Sequence, residues 1–124
     1  MALQKGHMEK EISEAIIKFE KEFLGRGPEE TKTYIIDDMI LVRLKGVLTQ
    51  GEKQLAQTSG DTKGRALIKQ VRIELLEKGR FLLETLIQDI THKKVNSLHT
   101  DISTITGERL IIFTLDNKIN FEEK

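Results

Sequence analysis

The sequence predicts an α+β domain in which two β-hairpins form a four-stranded antiparallel sheet, packed by an N-terminal helix and a long central helix. Apolar residues recur at three-and-four spacing near the N-terminus and again through a long central segment, which is the pattern of amphipathic helices. Two other segments are rich in β-branched and apolar residues, and each contains a short polar break that is typical of a hairpin turn. The predicted order is therefore helix, hairpin, short helix, long helix, hairpin.

The length of the chain indicates a single domain. Its 124 residues are too few for two ordinary domains and enough to bury a core without disulfides, which agrees with the absence of cysteine. We expect residues 8–116 to form this domain and residues 117–124 to form a C-terminal tail. Residues 1–7 resemble an expression-tag remnant, because a second methionine follows Gly6 and His7 directly.

The first helix is predicted from Met8 to Leu24. Gly25 is placed to end it in the left-handed conformation, and Pro28 cannot continue it. The apolar positions of this helix form one stripe: Ile12, Ala15, Ile16, Phe19 and Phe23.

The first hairpin is predicted from strands 33–36 and 39–45, joined by a turn at Asp37 and Asp38. Alternation places one apolar set on the first face: Ile35, Ile40, Val42 and Leu44. The opposite face carries Tyr34, Ile36, Met39, Leu41, Arg43 and Lys45. Because both faces carry apolar side chains, we expect each to be covered, either by helices or by a partner subunit.

Two helices and a second hairpin follow. Thr49 and Glu52 form the capping box of a short helix that runs to about Gln57, and residues 58–61 break it. The long helix is predicted from Thr62 to about Ile90, and Gly79 within it indicates close packing or a bend. The second hairpin comprises strands 95–103 and 108–115, with a loop at 104–107.

The long helix carries more apolar residues than one stripe requires. One set at helical spacing comprises Ile68, Val71, Leu75, Leu82, Leu86 and Ile90. A second set comprises Ile73, Leu76, Leu83 and Ile87. Together with the two apolar faces of the first hairpin, this excess predicts a homodimer.

The charge balance argues against several functions. Twenty basic residues offset twenty acidic ones, so no overall field favours nucleic acid. No apolar run approaches the roughly 18 residues of a transmembrane helix, so we expect no direct membrane insertion. Without cysteine and without a histidine motif at metal-ligand spacing, we expect no metal and no cofactor.

His99, Asp101 and Ser103 are the first candidate site. Alternation along a strand places all three on one face, with about 7 Å between successive same-face residues. They include the residue types of a hydrolytic triad, but the spacing strains direct hydrogen bonds and no glycine-rich turn supplies an oxyanion hole. The alternative is the half-exposed polar face of a hairpin, which we favour.

A second candidate site is basic. Arg43 and Lys45 share a hairpin face and Arg26 lies in the loop after the first helix, so together with His99 they could hold a carboxylate, bicarbonate or phosphate. The alternative is internal salt bridging, with Asp101 or Glu108 as the counter-charge. A third basic set on the long helix, Arg65, Lys69 and Arg72, has the spacing of a solvated helix face.

Several segments in combination resemble the MpsC-type domain family over nearly all of residues 9–116. They are GRGP at 25–28, DMILVRLKGVLT at 38–49, EKQLA at 52–56, HTDIS at 99–103 and TGER at 106–109.

The family takes its name from a sodium-translocating, membrane-potential-generating system of bacteria. That name specifies no chemical reaction, so the resemblance implies none. It implies a non-enzymatic accessory or regulatory protein beside membrane-protein partners, in the cytoplasm at the inner face of the membrane. Ion or bicarbonate transport would be the process served. The alternatives are a small-anion sensor and an enzyme that uses His99 and Asp101.

Overall fold

The computed structural model describes residues 4–57 and 63–121, which form three helices and four strands. Their bounds are α1 Lys5–Leu24, β1 Glu30–Ile36, β2 Met39–Lys45, α2 Gln50–Gln57, α3 Lys63–Thr91, β3 Val95–Ile102 and β4 Arg109–Leu115. The predicted α+β class and element order are confirmed. The break predicted at residues 58–61 and the predicted start of the long helix at Thr62 lie outside the described residues.

The four strands form one antiparallel sheet in the order β1-β2-β4-β3. Each hairpin pairs its own strands, and the second strands of the two hairpins pair with each other in the middle of the sheet. In the first hairpin Ile36 pairs with Met39, so the turn falls on Asp37 and Asp38 as predicted. Asp37 adopts a positive φ of 54°, which aspartate tolerates better than most residues.

The core lies between one face of the sheet and the helices, and we call this the inner face. α1 packs against β1, α3 packs against β3, and the two helices pack against each other. The predicted first face of the hairpin is confirmed as the buried one. The buried apolar strand residues are Ile35, Ile40, Val42, Leu44, Val95, Leu98, Ile102, Ile111, Phe113 and Leu115.

Both ends of the described chain contribute to this core. α1 begins at Lys5, within the segment that resembles a tag remnant, and Met8 is buried. It ends at Gly25, which has the predicted left-handed φ of 86°. Near the other end, in the predicted tail, Ile119 is buried and Phe121 packs against the core.

The buried stripe of α3 mixes the two apolar sets that the sequence presents. It takes Ile68 from the first set and Leu76, Leu83 and Ile87 from the second, whereas Val71 and Leu82 are exposed. Gly79 lies in the buried stripe opposite α1, and a Cβ at this position would stand 2.6 Å from the ring of Phe19. The glycine therefore marks close helix packing, which is one of the two explanations predicted for it.

Replacing Gly79 with alanine is expected to destabilise the domain by about 1–2 kcal/mol, because overpacking against Phe19 outweighs the helix propensity that alanine gains. Urea unfolding followed by circular dichroism measures this difference. Gly51→Ala is the matched control, since α2 has open space where that methyl group would stand, and it is expected to be neutral or stabilising. Equal stabilisation by both substitutions would contradict the close packing of α1 on α3.

Candidate docking surfaces

The face of the sheet that points away from the helices is called the outer face here. Its central row crosses all four strands, because the register aligns Tyr34 with Leu41, Leu41 with Ile112, and Ile112 with His99. Three of these four side chains are apolar or aromatic. They are only half-buried or exposed, with Tyr34 at 39% exposure.

Two further rows flank the central one and differ in character. The row next to the hairpin turn contains Ile36, Met39, Thr114 and Ser97. The row on the other side contains Lys32, Arg43, Leu110 and Asp101. The outer face is thus apolar at its centre and towards the turn, and charged at its far end.

Nothing in the described part of the chain covers the outer face, since α1 and α3 pack against the inner one. The sequence predicted that both faces of the first hairpin would be covered. Within residues 4–57 and 63–121, the helices cover the inner face alone. Apolar side chains such as Ile36, 48% exposed, stay in contact with solvent in the single chain.

Side chains occupy backbone groups at both edges of the sheet. At the β1 edge the N–H of Ile35 donates to the carboxylate of Glu9 at 2.8 Å. At the β3 edge the N–H of Val95 donates to Gln88 at 3.0 Å. Edge groups occupied in this way cannot pair with another strand, so the sheet offers its face to a partner rather than these parts of its edges.

A second apolar surface lies on the helical side, and we call it the α3 ridge. It consists of Leu67, Val71, Leu75 and Leu82 of α3 with Phe23 of α1. The exposed fractions are 58% for Leu67, 44% for Val71, 47% for Leu82 and 37% for Phe23, and Leu75 is half-buried. Phe23 lies beside Gly79, where a Cβ would stand 3.1 Å from its ring, and Gly79 falls between Leu75 and Leu82 along α3.

Arg43 and Asp101, both predicted as site residues, lie in the same row of the outer face but on β2 and β3. Strand β4 lies between them, which separates their backbones by about 10 Å. Arg43 instead pairs with Glu108 at 2.5 Å, and this hydrogen bond raises the pKa of Arg43. Asp101 pairs with Lys69 of α3 at 3.0 Å, and this contact lowers the pKa of the aspartate.

Arg26, also a predicted site residue, packs at the end of β2 rather than over the sheet. Its guanidinium donates to the carbonyl oxygens of Gly46, at 2.9 Å, and Leu48. It also lies 3.6 Å from the carboxylate of Glu29. Lys45, half-buried, immediately precedes Gly46, so Arg26 and Lys45 are neighbours at this end of the hairpin.

His99 and Ser103 complete the predicted set and have different surroundings. His99 is exposed in the central row of the outer face, beside Ile112. Ser103 lies in the loop after β3, where its hydroxyl accepts a hydrogen bond from the N–H of Thr106 at 3.1 Å. Its backbone also exchanges hydrogen bonds with the next loop residues, so Ser103 shapes the β3–β4 turn.

The structure reveals a buried charge cluster that sequence analysis did not predict. Glu20 of α1, Arg72 of α3 and Arg109 of β4 are 0%, 4% and 2% exposed. The solvated helix face predicted for the third basic set is wrong for Arg72, which binds Glu52 through two nitrogens, at 2.6 and 3.1 Å. The sequence does contain an indication that Arg72 is buried, because it lies four residues from both Ile68 and Leu76 of the buried stripe.

Burial dominates the electrostatics of Glu20 and Arg109. It raises the pKa of Glu20, and the positive charges of Arg109 and Arg72 oppose that rise. It also lowers the pKa of Arg109, with the charge of Glu20 acting in the other direction. Among the described residues, the two carboxylate oxygens of Glu20 have no hydrogen-bond partner. The Nε of Arg109 has none either. Within the described part of the chain no direct ion pair joins Glu20 and Arg109, and each charge partly offsets the effect of burial on the pKa of the other from a longer distance.

The space beside this cluster is small. A cavity of about 10 Å³ is lined by both arginines and by Thr100 and Asp101, among others. That volume matches a single water molecule, so it does not accommodate an organic substrate. Among the residues described, no three histidine, aspartate or glutamate side chains gather into a metal-binding group.

The described residues therefore define a small α+β domain with two apolar surfaces, and none of their helices combines the length and apolar character needed to cross a bilayer. By sequence the chain belongs to the MpsC family. The model of that family, described as "Na+-translocating membrane potential-generating system (MpsC)", matches residues 4–117, which confirms the resemblance.

Two proteins of Bacillus subtilis (strain 168) are similar to this chain over most of their length. Uncharacterized protein YbcI is 46% identical over 119 residues, which cover 96% of this chain and 94% of YbcI. Uncharacterized protein YrhF is 26% identical over 116 residues, which cover 92% of each chain. No solved structure matches the chain.

Proposed function

We propose that this protein is a non-enzymatic accessory or regulatory domain of a sodium-translocating membrane system, and that it acts in the cytoplasm at the inner face of the membrane. In this proposal the α3 ridge binds a membrane-protein partner. The observation that carries it is the set of apolar side chains on α3 that the domain's own core leaves exposed. The description of the MpsC family supports the kind of system.

The shape of the ridge favours a helical partner. From Leu67 to Leu82 the ridge runs for about 22 Å along α3, with its side chains at three-and-four spacing. Phe23 makes it continuous with α1. Such a surface matches the apolar stripe of an amphipathic helix, which recognises its partner through side chains at the same spacing.

The two alternative functions have less support from the geometry. An enzyme would need His99 and Asp101 to act on one substrate, but Asp101 is held by Lys69 at the β3 edge. An anion sensor would need available cations, whereas Arg43 is paired with Glu108 and Arg26 binds two carbonyl oxygens. These contacts favour the binding module over both.

Photo-crosslinking tests the proposal. A benzoylphenylalanine placed at Phe81, which is 81% exposed beside the ridge, is expected to crosslink to an integral membrane protein in Bacillus subtilis cells lacking YbcI. Val71→Lys and Leu82→Lys should each lower the crosslink yield by about tenfold, because the interface would have to bury a lysine charge. Both positions are exposed in the single chain, so thermal unfolding should be nearly unchanged.

The matched control is Ala66→Lys, which adds the same single positive charge at an exposed position of α3 outside the ridge. It should leave the crosslink intact. In the same cells, a potential-sensitive dye measures the membrane potential at high and low sodium. The ridge variants should not restore any sodium-dependent change in potential that the wild-type protein restores. Crosslinks that the lysine variants do not affect would remove the ridge from the proposal.

A further inference from the structure

We propose that the outer face of the sheet is a homodimer interface, with a two-fold axis parallel to the strands that brings the sheets of two copies together face to face. This inference concerns a different surface from the α3 ridge and does not depend on the proposed function. It rests on the area of the outer face, on the arrangement of its charges and on the protection of the sheet edges.

The outer face is large enough for a specific contact. Four strands about 4.8 Å apart and seven residues long, at about 3.3 Å per residue, give a face of roughly 440 Å² per copy. Two such faces, corrugated by their side chains, remove about 1,000 Å² from solvent in total, which reaches the lower bound for a specific interface. The expected dimer is therefore of moderate affinity and concentration-dependent.

The charges select the direction of the axis. In the charged row Lys32 stands at the β1 end and Asp101 at the β3 end, with Arg43 and Leu110 between them. An axis parallel to the strands reverses the strand order between copies, so Lys32 of one copy faces Asp101 of the other, twice per dimer. Asp101 binds Lys69 through Oδ1 and its side chain is 74% exposed, so the second carboxylate oxygen can accept from Lys32 of the other copy. The same axis places Arg43 over Leu110 of the other copy, but Glu108 already balances the charge of Arg43. An axis across the strands would instead place Lys32 over Ile36 and Arg43 over Met39, which leaves Lys32 against an apolar group without a carboxylate partner.

The same axis matches the apolar groups. It places Leu41 of one copy over Ile112 of the other at the centre of the interface, because β2 and β4 are the two central strands. Tyr34 then faces the His99 of the second copy at the rim. Sheets packed in this way lie about 10 Å apart, with their strands rotated by about 30°. The long side chain of Lys32 can span this distance and reach Asp101 of the other copy.

The edges favour a closed dimer over a larger assembly. Glu9 and Gln88 occupy backbone groups at the two edges of the sheet, which disfavours strand addition there. A two-fold contact between identical faces uses up the outer face of both copies. Association should therefore stop at two chains.

Charge reversal tests this geometry. Sedimentation velocity of the wild-type protein from about 1 to about 100 µM should show a monomer–dimer equilibrium. Lys32→Glu and Asp101→Lys should each weaken the dimer by about tenfold or more, because each places two pairs of like charges across the interface. An equimolar mixture of the two variants should restore the dimer, since both cross-interface pairs are then of opposite sign. Lys10→Glu on α1 is the control and should dimerise like the wild type.

Ile36→Lys, at an exposed position near the turn, provides a second test that does not depend on ion pairs, and it should yield a folded monomer. A wild-type chain that remains monomeric at about 100 µM overturns the proposal. So does a dimer that survives Ile36→Lys, or single charge variants that do not recover on mixing. A monomer that binds anionic lipid vesicles, and loses that binding with Ile36→Lys, would assign the outer face to a membrane surface instead.

Discussion

Replacing Arg72 with methionine is expected to lower the free energy of unfolding by about 2–4 kcal/mol at neutral pH. Methionine fills much of the same volume, but it removes the two hydrogen bonds to Glu52 and a third, at 2.8 Å, to the carbonyl of Val47. The carbonyl of the buried residue Val47 would then lose this donor, and the half-buried carboxylate of Glu52 would lose both hydrogen bonds from Arg72. Chemical denaturation of both proteins measures the difference.

The loss should extend beyond one ion pair because Glu52 has two roles. Its carboxylate accepts the N–H of Thr49 at 2.8 Å, and its own N–H donates to the Thr49 hydroxyl at 3.1 Å, which forms the predicted capping box of α2. Arg72 thereby fastens the start of α2 to α3. Arg65→Met is the matched control, since the Arg65 side chain makes one hydrogen bond among the described residues, to the carbonyl of Ala56 at 3.2 Å, and its loss should cost less.

The effect of Arg72 has a pH signature. Burial by itself would raise the pKa of Glu52, but hydrogen bonds from Arg72 and Thr49 lower it below its ordinary value. A lowered carboxyl pKa stabilises the folded state above the unfolded pKa, and that stabilisation is lost as the pH falls through the folded value. The wild-type protein should therefore lose stability below about pH 4.3, and Arg72→Met should show a weaker dependence there. Parallel curves for the two proteins would contradict this.

The elements of this fold are predictable from sequence because their signals are local. Gly25 ends α1, Thr49 and Glu52 cap α2, and alternation assigns the two faces of the first hairpin correctly. Each of these depends on residues only a few positions apart. The pairing of β2 with β4 depends on contacts between segments about seventy positions apart, for which the sequence contains no comparable local pattern.

The dependence of strand order on distant contacts also explains why the predicted site residues do not lie together. Alternation placed Arg43 on the outer face, and His99 and Asp101 together on one face of β3, but the strand order determines how far apart β2 and β3 lie. Since β4 separates them, ion pairs form with nearer groups, Glu108 and Lys69.

The buried side of α3 was ambiguous for a different reason. Apolar residues surround more of this helix than one stripe, so periodicity alone cannot select the buried set. The selection is made by α1, which packs against Gly79 because only a glycine leaves room for the ring of Phe19. The positions that α1 does not cover become the α3 ridge.

Arg109 and Glu20 form the interaction with the largest expected effect. Both are essentially inaccessible to solvent, one on the inner face of β4 and the other on α1. Removing one partner of a buried pair leaves the other charge without compensation in a medium of low polarity, which typically destabilises a protein by about 3–5 kcal/mol. Arg109→Leu is therefore expected to be among the most destabilising single substitutions in this domain.

The destabilisation by Arg109→Leu should depend on pH in a defined direction. Burial already raises the pKa of Glu20, and loss of the Arg109 charge removes the main influence that opposes this rise. When the folded-state pKa of a carboxyl exceeds its unfolded value, the folded state binds more protons between the two values, so stability rises as the pH falls into that window. The difference between wild type and Arg109→Leu should accordingly shrink from about pH 7 to about pH 5.

The double variant Arg109→Leu with Glu20→Gln should be more stable than Arg109→Leu at neutral pH and should lose this dependence, because no ionisable group remains at position 20. If urea unfolding gives the same loss at every pH and the second substitution brings no recovery, the charges of Glu20 and Arg109 do not stabilise each other.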